Sequence, residues 1–188
     1  VFGDITAKIS FSRFPDPVNG NGLYKFLISG SSTVASQGSG TFIHTIAEDD
    51  EVDGGVVNQQ RLIFEVNQGG DSATTRLWWN GIPESYGLNV APGKPCEETW
   101  NFLFSDHGGA VNTTSSDSVT YTPPLNYTRA TLALGTSITT VSIVACNEFS
   151  LNLNNNIAQN RQAGTNAVVN FQYGQRVVTG EFKMIFTS

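Results

Sequence analysis

Apolar and polar residues alternate with a period of two along most of this chain. Ile5, Ala7, Ile9 and Phe11 interleave with Thr6, Lys8, Ser10 and Ser12, the pattern of a strand with one buried face. The breaker run Pro15-Asp16-Pro17-Val18-Asn19-Gly20-Asn21-Gly22 then reads as a loop. Strands are predicted over 23–29, 41–46 and 56–66, with a Gly/Ser stretch at 30–40 and an acidic loop before residue 56. A short aromatic strand at 76–80 ends on Asn80-Gly81, a hairpin-turn dipeptide. Further strands are expected over 99–105, 118–122, 127–134, 138–149, 167–173 and 176–187, the last two joined by a Gly174-Gln175 turn. Residues 150–165, with the run Asn154-Asn155-Asn156, read as loop. In the final strand the alternation places Val178, Gly180, Phe182, Met184 and Phe186 on the core face. Thr179, Glu181 and Lys183 fall on the solvent face.

No stretch sustains a helical stripe, and no internal repeat of solenoid or propeller length is visible. Many short strands with turn signals between them predict an all-β fold. The expected architecture is a single-domain antiparallel β-sandwich over residues 1–188, immunoglobulin-like or jelly-roll.

Composition narrows the class. A length of 188 residues suits one domain, and 39% hydrophobic residues with 12 Phe and 3 Trp suffice for a core, which excludes disorder. Only 14% of residues are charged, too few for a coiled coil. No apolar run is long enough to span a membrane. A net charge of −6 counts against a nucleic-acid partner, since phosphate binding needs clustered Lys and Arg. The chain opens at Val1, as expected for a mature or excised domain. The two cysteines, Cys96 and Cys146, lie outside any metal-finger spacing. An even pair in a Lys-poor, Thr- and Asn-rich chain points to one disulfide and an extracellular or cell-surface location.

Catalytic signals are thin. His44 and His107 are distant, no G-x-S-x-G occurs, and Asp106-His107 are neighbours that diverge on an extended chain. Glu97 and Glu98 point to opposite faces of a strand, which makes them poor partners for glycoside hydrolysis unless Glu65 or Glu181 contributes. The chain is therefore read as non-catalytic and cofactor-free, with calcium as one open option. The acidic segment supplies that option: five of 16 carboxylates fall within residues 48–53, and Asp49, Glu51 and Asp53 are hard oxygen ligands followed by glycine. A solvated hairpin tip explains the same residues.

The aromatic group suggests a second chemistry. Trp78 and Trp79 place one indole on each face of their strand, and Tyr86 follows the Asn80-Gly81 turn. Asn80, Glu84 and Asn89 could supply hydrogen bonds to sugar hydroxyls beside such an aromatic plate. Ordinary core packing of the indoles is the alternative.

The closing segment Arg176-Val177-Val178-Thr179-Gly180-Glu181-Phe182-Lys183-Met184-Ile185-Phe186-Thr187-Ser188 resembles the last strand of bacterial chaperone–usher pilus subunits and fimbrial adhesins. The cysteines lie in the second half and Thr187 is penultimate, both departures from that pattern. The resemblance implies an immunoglobulin-like sandwich and, for tip subunits, binding of host glycans. The sequence thus predicts a secreted, carbohydrate-binding adhesin whose partners are cell-surface glycans and other subunits of a surface fibre. The competing expectation is a structural subunit of a pilus, or a viral capsid or spike domain. A small glycan-active enzyme is the third.

Overall fold

The computed structural model describes residues 7–15, 23–27, 31–38, 41–47, 62–66, 76–110, 125, 132–137, 140–144, 146–161, 163 and 168–184. In chain order the elements open with β1 (Ala7–Arg13), a single helical turn α1 (Tyr24–Leu27), β2 (Ser31–Gly38), β3 (Thr41–Ala47) and β4 (Leu62–Val66). The long β5 (Arg76–Val90) follows, then β6 (Glu97–Phe104) and β7 (Asp106–Ala110). The remainder is β8 (Leu132–Ser137), β9 (Thr140–Val144), β10 (Cys146–Asn154), β11 (Ala158–Arg161), β12 (Val168–Gln172) and β13 (Val177–Met184). The fold is all-β, and every strand pair is antiparallel.

The main sheet runs β1-β6-β5-β10-β13, while β4 and β7 pair with the first part of β5. Three separate ladders, β2-β3, β8-β9 and β11-β12, complete the description. Strand β5 turns a corner between these groups. Residues Arg76–Gly81 pair with β4 and β7, and residues Ile82–Val90 pair with β6 and β10. Asn80 sits at φ 54°, a left-handed conformation that Asn tolerates better than most residues. A Cβ at Gly81 would lie 2.3 Å from Cε1 of Phe104, so only glycine fits there. The Asn80-Gly81 pair therefore bends a continuing strand rather than closing a hairpin, a known way to carry a strand from one layer to the next.

Burial along β6 alternates from Glu97 to Asn101, then Phe102, Leu103 and Phe104 are all buried. Two clusters explain the change. Trp100, Phe102, Phe104, Tyr86, Ala7 and Leu153 form one core with Leu27 of α1, joined by Phe11, Leu62 and Phe64. Leu103 and Ile82 point to the opposite face and pack against Val168 and Phe171 of β12. Phe64 of β4 reaches Phe11 at 5.7 Å and Phe104 at 6.3 Å between ring centroids, so the β4 layer folds onto the aromatic face.

Several expectations change here. Residues 24–27 form a helical turn where a strand was expected, and the Gly/Ser stretch at 30–40 carries β2. Strand β10 continues to Asn154, and residues 158–161 form β11, inside the segment read as loop. The last strand is not buried: every residue of β13 is exposed. Phe182 lies opposite Phe149 and Val178 opposite Leu153, so the alternation is kept, but these residues do not face a core: among the described residues neither buried cluster reaches this outermost strand. The Cys96–Cys146 disulfide is also corrected, since Cys96 carries a free, buried thiol. Its amide donates to the carbonyl of Leu125 at 2.8 Å, and burial pushes the thiol pKa up. Phe186 and the strand expected at 118–122 lie outside the described residues.

Candidate assembly surface

The apolar face of the main sheet is covered at one end and open at the other. Along one row of opposed residues, Trp100 is 0% exposed, Tyr86 7%, Leu153 8% and Val178 57%. A parallel row passes from buried Val90 through half-buried Phe149 to Phe182, which is 43% exposed. Leu151 and Met184 extend the exposed strip. It runs along β13 and the adjoining β10, and among the described residues no strand pairs with the outer side of β13. An open edge with apolar side chains is a template for joining another chain, and proteins that stay monomeric usually blunt it. Lys183, bonded to Glu148 at 2.7 Å, is the charged pair along this edge.

The other face of the same strands is polar and almost free of charge at its centre. Ser12, Thr99, Gly87, Asn152 and Thr179 stand opposite one another across five strands, beside Ser10, Asn101, Ser85 and Asn154. Ser10 donates to Asn101 Oδ1 at 2.6 Å, and Asn101 Nδ2 donates to Ser85 at 2.8 Å. Gly87 leaves a shallow depression of about 480 Å³ lined by these hydroxyls and amides.

The residues expected at a sugar site are placed as follows, as far as they are described. Trp78 and Trp79 lie in the first part of β5, but their side chains are outside the described residues. Tyr86 is a core residue, 7% exposed, and cannot present a stacking plate. Glu84 is held by Lys8 at 2.5 Å, while Asn80 and Asn89 are exposed at separate points of β5. Asp49, Glu51 and Asp53 lie outside the described residues; no metal-ligating cluster occurs among those described.

Two buried polar residues carry more structure than the sequence suggested. Glu98 is 1% exposed and accepts hydrogen bonds from Arg13 Nε at 2.8 Å, Tyr86 at 3.1 Å and Trp100 Nε1 at 3.3 Å, and also from the Tyr24 hydroxyl. The Arg13 guanidinium lies 5.6 Å from the Trp100 ring centroid and 5.9 Å from that of Tyr24. Alternation with Trp100, Phe102 and Phe104 already placed Glu98 on the core face, a signal overlooked because Glu97 stands beside it. Asn155 is 0% exposed; its Nδ2 donates to the carbonyls of Leu27 and Pro83, both at 2.9 Å, and its Oδ1 accepts from Arg176 at 2.8 Å. Nothing in the run Asn154-Asn155-Asn156 singled out its middle member.

Burial pushes the Tyr86 hydroxyl up to about 12, with Arg13 pulling slightly the other way. The folded state therefore keeps a proton that the unfolded state releases near pH 10. Stability from this group is complete below about pH 10 and falls as pH rises towards 12. Thermal melts across that interval should fall more steeply for the parent than for Tyr86→Phe; parallel curves would show that the phenol does not drive the loss.

No curated protein matches the chain. The model of a family described as phage tail tube protein matches residues 1–188, the whole sequence. That match overturns the chaperone–usher resemblance, which rested on one alternating strand common to many β-sheets. The adhesin, lectin and fimbrial readings fall with it, and the viral structural alternative stands in their place. From end to end, the chain belongs to the phage tail tube protein family.

Proposed function

We propose that this chain is a non-catalytic structural subunit of a phage tail, polymerising with further copies of itself through the open end of its main sheet. The observation that carries this reading is the uncovered apolar strip formed by Val178, Phe182 and Met184 of the edge strand β13 with Leu151 of the adjoining β10. Family membership supports a structural role within a virion, in company with other tail subunits. A tube needs heterologous contacts that repeat, and an unpaired edge with exposed apolar side chains suits one half of such a contact. The buried carboxylate Glu98 is occupied by donors on every side, which favours structure over acid–base chemistry.

Phe182→Asp should leave the isolated subunit folded, because a side chain 43% exposed contributes little to the core. Its melting temperature should stay within about 4 °C of the parent, a shift worth less than about 1 kcal/mol. Sedimentation velocity and electron microscopy at rising concentration should show rings or tubes for the parent and monomer for the variant. Equal assembly by both proteins would remove β13 from the contact.

A further inference from the structure

We infer that Gly180 opens a socket in the exposed apolar strip, and that an apolar side chain from a second copy of this chain fills it. The identity of that occupant rests on the assembly reading above. Gly180 stands fourth among the eight residues of β13, inside a strand that glycine weakens through lost chain entropy and lost packing. A glycine in such a place answers to a left-handed backbone, to a bulge, or to the close approach of another group. The first two do not apply. The φ of Gly180 lies outside the left-handed region, and its ladder with β10 stays in register from Glu148 to Asn154. Nor do its own neighbours crowd it. Among the described residues, a Cβ at Gly180 would meet only the Ser150 carbonyl oxygen, at 3.7 Å, an ordinary contact. At Gly174, by contrast, a Cβ would lie 2.5 Å from the Asn156 carbonyl oxygen, much as Gly81 is wedged against Phe104.

The room left at Gly180 has a definite shape and chemistry. Alternation puts Val178, Gly180 and Phe182 on one face of β13, and the register sets Leu151 directly opposite Gly180. Val178 and Phe182 stand about 13 Å apart along the strand, four residues at about 3.3 Å each. These two side chains and Leu151, all exposed, wall a notch whose floor is bare backbone. Thr179 and Glu181 fall on the opposite face, so no polar side chain of β13 lines the notch between Val178 and Phe182. Such walls select an uncharged apolar occupant. An apolar side chain of one molecule seated in a notch elsewhere on the next makes a head-to-tail contact, the kind that generates rings and helical filaments. A member of a tail tube family needs contacts of that kind, which is why the occupant is a second copy.

Gly180→Ala and Gly180→Val, made in the full chain, test the socket. Both should fold, with melting temperatures equal to or above the parent's, because the site accepts a Cβ and strands favour the branched residue. Assembly should move the other way. In sedimentation velocity over a concentration series, Gly180→Ala should need roughly tenfold more protein than the parent to assemble, as expected of overpacking at a contact. Gly180→Val should need more still. A lower melting temperature for Gly180→Ala would show that the fold itself requires the glycine, and would overturn the socket. Assembly of both variants at the parent's concentration would also overturn it, and would leave the tube reading intact. A parent that stays monomeric at every concentration would overturn the tube reading, and the second copy as occupant with it.

Discussion

Asn155→Ala should lower the free energy of unfolding by about 3–5 kcal/mol. The side chain uses both amide hydrogens and its oxygen, tying Leu27 in α1, Pro83 in β5 and Arg176 ahead of β13 to one buried point. Truncation removes three hydrogen bonds and takes their shared donor from the carbonyls of Leu27 and Pro83 at a fully buried position. Each buried group left unsatisfied costs about 1–3 kcal/mol, and they share one site, so the losses compound. The backbone is pinned as well: the Asn155 main-chain N–H donates to the Glu84 carbonyl at 2.9 Å, and its main-chain carbonyl accepts from the Gly174 N–H at 3.2 Å. Chemical denaturation of parent and variant measures the difference. A loss below about 1 kcal/mol would mean that water fills the site at little cost.

The second large effect is expected at Glu98. Removing one partner of a buried ion pair costs about 3–5 kcal/mol, because the other charge stays desolvated. In Glu98→Ala the Arg13 guanidinium loses its carboxylate beside the faces of Trp100 and Tyr24, and three further donors lose their acceptor. Glu98→Gln should cost less, about 1–3 kcal/mol, since an amide oxygen still accepts while its NH2 group opposes the donors around it. The order parent, Gln, Ala in denaturation midpoint is the diagnostic. If Gln and Ala were equally destabilising, the charge of Glu98 would matter and its hydrogen-bonding geometry would not.

Much of the fold was legible because alternation reports burial wherever a single layer lies over a strand. Phe11 on β1, and Trp100 and Phe102 on β6, follow that rule. It fails at Leu103, where a second layer covers the back of the sheet, and at Phe182, which is left 43% exposed. The alternating pattern states which way a side chain points; what lies in that direction is decided by distant segments. The Asn80-Gly81 pair was misread for a related reason: a left-handed residue permits a turn or a corner, and only the strand on either side decides between them. Residues 24–27 carry four apolar or long side chains in a row and so look extended, until Glu98 and Asn155 give their short turn something to dock on. The candidate surface was visible as a row of apolar residues near the end of the chain. Its purpose was assigned to the wrong family because low charge with abundant Thr and Asn suits self-assembling β-surfaces of several kinds.

The corner in β5 has a mechanical consequence. Strand β5 and its partners β6 and β7 form one long bent ribbon, shared between the β4 side and the main sheet. A pull applied to either side is carried through unbroken backbone into the other, across a bend wedged by Gly81 against Phe104. Neither side can release its stretch of the ribbon while the other keeps its pairing in register. Load entering through either side is therefore shared between the β4 side and the main sheet, through the backbone of β5 that both use.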